Sequence, residues 1–458
     1  MRRSDAHPIS GVICWPRFEA SSCPCFSLKP ASAMRPIFYP FILFTALSAL
    51  LSEEPPVPKS IEHLVSITLT ANPEIRFYEA EIAKSKAVRS TAGRQSNPTL
   101  ELQYGKNKLY APDGSSDGLA FSASLAQPIE WPGRLGLRKA IANRDITLAE
   151  LGLDRFRFHL ASRVRVLAYS LAAQQDVAIA ANDVASRYAS LREVMVQREP
   201  AGIAPQLEIV TVEAAALVAE SSAAKAAVAV QQALLELNQL MGRRADAPLV
   251  VQRAAFAMKT APSLDALMLS AMNNHYDLRI RRAELEQQGF KVALAKNERY
   301  PTVTIGPFFQ QQNAPALENQ SVFGIGVSFP LPSWKNGKAE VTAAEARQMQ
   351  AQASLSTAQR QVERQVTESM LLFKTQQARL ALWKKNTMSK FSDAAALADR
   401  HYRLGAVPMS TFVDLQDKYL AAVEAINETQ VQALEAALML EALTGAPGSL
   451  VTLAAPNP

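Results

Sequence analysis

One register relates the two halves of this chain. Shifted by 203 residues, Ser60 falls on Ser263, Leu64 on Leu267, Arg76 on Arg279 and Ala80-Glu81 on Ala283-Glu284. Farther along, Pro98-Thr99 falls on Pro301-Thr302, Trp131 on Trp334, Arg144 on Arg347, Gly202 on Gly405, Pro205 on Pro408 and Gly242 on Gly445. The register slips by one only where Pro128 meets Pro330. A match held over most of a chain marks an internal duplication. The glycines, prolines and tryptophans that match belong to turns and membrane edges rather than to helix filler. The fold must therefore use one unit twice.

Each unit opens with an amphipathic pattern that predicts one helix, about 61–95 and 264–299, stopped before Pro98 or Pro301 because the residue before proline is held out of the helical region. Two strands follow. Leu100, Leu102 and Tyr104 alternate with polar residues, as do the large apolar residues of Leu119–Leu125. The second unit repeats this at Val303 and Ile305, then at Phe323, Ile325, Val327 and Phe329. Period-two alternation is the mark of a strand with one apolar face. It suits a membrane barrel, apolar toward lipid and polar toward the lumen, and equally an ordinary half-buried hairpin. Loops are expected near 113–116 and 313–319, and Trp131 and Trp334 stand where interfacial aromatics belong.

Very long helices are expected next, about 135–198 and 338–403, neither containing a proline. At 1.5 Å per residue such a helix spans on the order of 100 Å and needs a coiled-coil partner or a tubular assembly. Leu151, Phe158, Val166, Val177, Val184 and Leu191 recur at roughly heptad intervals. Turns around Gly202 and Pro205, and around Gly405 and Pro408, end these helices by a left-handed cap and a proline stop. A returning helix then runs to Gly242 or Gly445. The predicted fold class is mainly α with a small β part.

Composition agrees: 48% hydrophobic, 7% aromatic and 18 glycines among 458 residues favour long helices over a sheet-rich globule. A net charge of +6, scattered among acidic residues, is no nucleic-acid footprint. The cysteines, Cys14, Cys23 and Cys25, all precede Met34, so the body holds neither disulfide nor cysteine-bound zinc.

Residues 1–33 read as an extension upstream of a second start at Met34. Residues 34–52, with Arg35, the apolar run Ile37–Leu47 and Ala46-Leu47-Ser48, read as a signal peptide. Residues 53–60, with Pro55, Pro56 and Pro58, read as an extended linker. The repeats are then 61–242 and 263–445, with a connecting segment 243–262 and a tail 446–458.

Helix, hairpin, very long helix, tight turn and returning helix, all twice, resembles the TolC-like outer-membrane efflux family. The residues carrying the resemblance are Asn97-Pro98, Gln127-Pro128-Ile129-Glu130-Trp131-Pro132-Gly133-Arg134, Phe329-Pro330-Leu331-Pro332 and Tyr402-Arg403-Leu404-Gly405 leading to Asp414-Leu415. The resemblance implies a homotrimer in which each protomer gives four strands to a twelve-stranded barrel in outer-membrane lipid and its helices to a periplasmic coiled-coil tunnel. Tips at Gly202, Pro205, Gly405 and Pro408 would meet a periplasmic adaptor protein linked to an inner-membrane pump of the RND type. Glu130-Trp131-Pro132-Gly133 and Pro330-Leu331-Pro332 most resemble the heavy-metal (CzcC-like) branch.

The expected activity is passive conduction, with Asp393 and Asp399 as candidate gate residues and Arg400 and Arg403 as their locking partners. The alternative for each is a solvated surface charge. No enzyme is expected: the five histidines, His7, His63, His159, His275 and His401, show no paired spacing, and no nucleotide or nucleophile motif appears. No cofactor and no tight metal site is implied. The competing readings are a periplasmic adaptor or scaffold without a barrel, and an exported helical enzyme.

Overall fold

The computed structural model describes residues 58–111, 114–196, 203–252, 254–314, 317–331, 337–383 and 387–454. The expected extension and signal peptide, most of the linker, Gly202 and Trp334 lie outside the described residues.

The first unit runs α1 (Ile61–Ala71), α2 (Pro73–Ala92), β1 (Thr99–Ala111), β2 (Gly114–Ile129), α3 (Arg134–Val196) and α4 (Ile203–Leu240). After β3 (Ala255–Met258) the second runs α5 (Leu264–Asn274), α6 (Tyr276–Glu298), β4 (Val303–Ala314), β5 (Leu317–Ser328), α7 (Lys338–Leu382), α8 (Thr387–Arg403) and α9 (Met409–Thr444), with β6 (Val451–Ala454) last. The duplication read from the sequence is thus present in the order of elements, with the counterpart of α3 divided into α7 and α8.

The opening helix of each unit is two helices rather than one. Asn72 is extended, its side chain accepts from the Glu74 amide at 2.8 Å, and Pro73 starts the next helix. Proline at the first helical position holds its predecessor out of the helix. The second unit keeps the break at His275, whose side chain makes no capping bond. There the end of the returning helix is wedged against it. A Cβ on Gly445, at φ +65°, would lie 2.8 Å from Asn274 Cβ, as one on Gly242 would lie 3.2 Å from the Ala71 carbonyl oxygen. Both glycines therefore serve backbone conformation and close approach together.

The long helix α3 has 63 residues, about 95 Å at 1.5 Å per residue. The expected single helix 338–403 is instead divided: α7 ends at Leu382, where Trp383 turns extended at φ −86°, ψ 100°, and α8 starts at Thr387. Of the heptad series, Leu151, Val184 and Leu191 are buried, while Phe158, Val166 and Val177 are half-buried. The main core joins α1, α3 and α4 to α5, α7 and α9, so both units share it. A second core joins α3 and α4 to α8 and α9 near the turns.

The strands form one antiparallel sheet in the order β1-β2-β4-β5. They are longer than expected, and the first hairpin pairs as far as Ala111 with Gly114. Alternation reveals only the stretch with an apolar face; ladder hydrogen bonds belong to the backbone and continue where the side chains turn polar. A two-stranded sheet of β3 with β6 also ties the connecting segment to the tail. Neither was expected as a strand.

Candidate functional site

The sheet separates two chemistries by side-chain parity. Leu100, Leu102 and Tyr104 of β1 stand opposite Leu125, Ala123 and Phe121 of β2. Continuing across, Ala123 meets Phe309 of β4, and Phe309 meets Phe323 of β5. These residues share one face, and it is uncovered: Tyr104 is 74% exposed, Phe323 78% and Ile325 73%. The other face carries Gln103, Ser122 and Gln310 in one row, with Asn107 and Gln312 in neighbouring rows of the same face, where Asn107 Nδ2 donates to Gln312 Oε1 at 3.1 Å. Leaving an aromatic band this large in water is unfavourable for a soluble protein. The arrangement suits a wall with lipid on one side and water on the other. Among the described residues, no helix is long and apolar enough to cross a membrane.

The sheet joins the helices through a compact node. Trp131, just past β2, stacks on Tyr300, just before β4, with ring centroids 4.7 Å apart and planes 8° from parallel. Beside them Arg134 is 4% exposed. Its guanidinium donates to Asn297 Oδ1 at 3.1 Å, Thr302 Oγ1 at 2.8 Å, the Asn297 carbonyl at 3.1 Å and the Tyr300 carbonyl at 2.8 Å. Asn297 returns a bond to the Pro132 carbonyl at 2.9 Å. The start of the long helix is thereby fixed to the entry of the second hairpin. Trp131 was expected at this edge. Arg134 was read only as the end of the motif that carries the resemblance, and Asn297 and Tyr300 were not singled out, because the partners that join them lie more than 160 residues away.

At the second turn Gly405 has φ +73°. Its amide donates to the Tyr402 carbonyl and the Ala406 amide to the His401 carbonyl, both at 2.9 Å. This is a Schellman ending, and Pro408 then caps α9 at φ −73°, ψ 158°. Pro205 lies in the first turn of α4. Of the four candidate gate residues the structure brings one pair together, Arg403 with Asp399 at 3.1 Å, one helical turn apart on α8. Asp393 and Arg400 are exposed on the same helix. The bonds that join elements lie beside them. Arg187 on α3 donates to Gln416 on α9 at 3.2 Å and pairs with Asp183 at 2.6 Å, and Gln416 Nε2 donates to the Ala395 carbonyl of α8 at 2.8 Å. Phe412 packs edge-on to Tyr188 at 5.4 Å. Burial holds the Tyr188 phenol above its ordinary value.

His159 and His275, remote in sequence, come close enough to influence one another. Burial lowers both below the usual histidine value. Among the described residues no group of three or more histidines, cysteines or carboxylates could hold a metal ion.

The profile of the outer membrane efflux protein family matches residues 64–243 and 267–446, two spans that start 203 residues apart. The fold is similar to that of the outer-membrane channel OprN, with a TM-score of 0.68 and 17% identity over 84% of this chain and 90% of that one. It is also similar to CusC, with a TM-score of 0.66 and 13% identity over 86% and 95%. The MtrE outer membrane channel of Neisseria gonorrhoeae, in its open state, matches with a TM-score of 0.65 and 16% identity over 84% and 89%. No curated protein sequence matches the chain closely. With the duplication, the two-faced sheet and the long helices in place, the chain belongs to the outer membrane efflux protein family, whose members are channels of the outer membrane rather than enzymes.

Proposed function

We propose that three copies of this chain close one barrel in the outer membrane and conduct solutes passively from the periplasm to the exterior. The observation that carries this is the sheet. Its apolar face is bare, and the outer edges of β1 and β5, strands of 13 and 12 residues, have no partner strand among the described residues. Long unpaired edges are template surfaces that proteins cover or close, and four strands are too few to curl into a barrel by themselves. Three copies supply twelve, an even number within the range of such barrels. The helices then continue the wall into the periplasm.

The turns around Gly202 and Pro205, and around Gly405 and Pro408, are the tips that dock a periplasmic adaptor, and an RND-type inner-membrane pump supplies the energy. Asp393, Asp399, Arg400 and Arg403 lie where threefold repetition makes charged rings able to close and release such an end. The Glu130-Trp131-Pro132-Gly133 and Pro330-Leu331-Pro332 segments favour heavy-metal cations as cargo. A membrane fraction showing a heat-modifiable trimer on gels, and metal sensitivity when the gene is deleted, supports the reading. A soluble periplasmic monomer overturns it.

A further inference from the structure

The polar face of the sheet carries one large aromatic ring on β4. Phe308 stands between Gly306 and Gln310 on that face, opposite Ser124 of β2 and Gly324 of β5. Its side chain is half-buried. The reason is where the ring rests. A Cβ on Gly324 would lie 2.8 Å from Phe308 Cε1 and 2.9 Å from Cζ, and one on Gly326 would lie 3.7 Å from Cδ1. Carbon atoms pack at about 3.5–4.0 Å, so the ring occupies the space a side chain at 324 would need. It lies across both glycines. Glycine inside a strand weakens it and marks a place where something approaches closely. Here that something is an aromatic covering a glycine pair.

We propose that Gly324 and Gly326 form a recess that holds the Phe308 ring flat against the wall, so that Phe308 sets the free bore of the β part of the channel. This rests on the conduction reading above. In the trimer three rings stand at one level. Each offers its apolar surface to passing solute and keeps its edge out of the lumen.

Single-channel conductance in planar bilayers tests the recess. Gly324→Ala displaces the ring into the bore, and a loss of conductance is expected. Phe308→Ala retains or raises conductance, and the double variant G324A/F308A returns to the F308A value. Gly326→Ala, with ordinary clearance to the ring, stays close to wild type. An unchanged G324A channel, or an equal loss in the F308A background, overturns the assignment. Should G324A fail to assemble, Phe308→Cys decides the matter. It would be the only cysteine beyond Cys25, and a water-soluble thiol reagent is expected to react with it and lower conductance. An unreactive thiol overturns the luminal placement. A wild type that inserts without conducting overturns the channel reading itself. A conducting wild type indifferent to G324A overturns only the recess.

Discussion

Asn238 and Glu441 occupy the same step of the two returning helices, 203 residues apart, and each secures the segment that follows its helix with opposite polarity. Asn238, fully buried, donates to the carbonyls of Ala245 and Ala247 at 3.1 and 2.8 Å. Glu441, 2% exposed, accepts from the amides of Gly448, Leu450 and Val451 at 2.9, 2.7 and 3.2 Å. The two units share the anchoring position, with a donor in one and an acceptor in the other.

That polarity makes the two anchors separable by substitution. Glu441→Ala strands three amides and is expected to lower stability by about 1–3 kcal/mol. Glu441→Gln keeps the oxygen that serves Leu450 and Val451 and gives up only the Gly448 bond, so its loss is expected to be smaller. Thermal unfolding of the two variants decides it; equal losses would mean that the charge, rather than the bonds, secures the tail.

Two glycines with nearly the same backbone angle are expected to respond differently to alanine. At Gly405, φ +73°, an added Cβ meets nothing within 4 Å. Only the left-handed conformation is penalised, about 1–2 kcal/mol. At Gly445, φ +65°, the same methyl meets Asn274 at 2.8 Å, so Gly445→Ala is expected to cost more. Hydrogen exchange should show loosening confined to the tip in Gly405→Ala and spread to the α5–α6 break in Gly445→Ala. The reverse order of stability would contradict the close approach.

Arg134 allows a test of the node between sheet and helices. Its fork serves four acceptors, none of them a carboxylate, which a lysine ammonium on a flexible stem does not match. Arg134→Lys is expected to retain part of the stability lost in Arg134→Ala, a loss on the order of 3 kcal/mol for a buried charged-group network. Full rescue by lysine, read from the unfolding midpoint of the trimer, would show that charge alone suffices.

The pH response follows from His275. Its Nδ1 is buried without a hydrogen-bond partner among the described residues. Burial holds its pKa below the ordinary 6.5, with Asp277 opposing and His159 and Arg155 reinforcing the shift. The folded protein therefore binds this proton less readily than the unfolded chain. Its contribution is complete above pH 6.5 and is lost as pH falls through that value toward the lowered one. His275→Asn, copying Asn72 at the matching position of the first unit, is expected to reduce the drop in melting temperature below pH 6.5. An unchanged drop would assign the acid sensitivity elsewhere.

Local signals explain what was legible in the sequence. Pro98 and Gly405 mark ends, and Leu100, Leu102 and Tyr104 declare a strand face by alternation, because each acts over a few residues. Pro73 marked the first helix break just as plainly and was passed over. The break at His275 has no such marker, since it depends on Gly445 seated against Asn274. The pairing of β3 with β6, the Arg134 node and the contact of Phe308 with Gly324 all depend on partners set by tertiary packing. The candidate gate charges were legible as charges, but the bonds across helices fell to Arg187 and Gln416, which nothing local distinguishes.

Conductance of the purified protein in planar bilayers tests the central claim most directly. The expected result is stable, stepwise current from the heat-modifiable trimer, absent once heating separates the protomers. Protein that inserts as a trimer and carries no current, or current that persists from separated protomers, would contradict a bore built by three copies of this sheet.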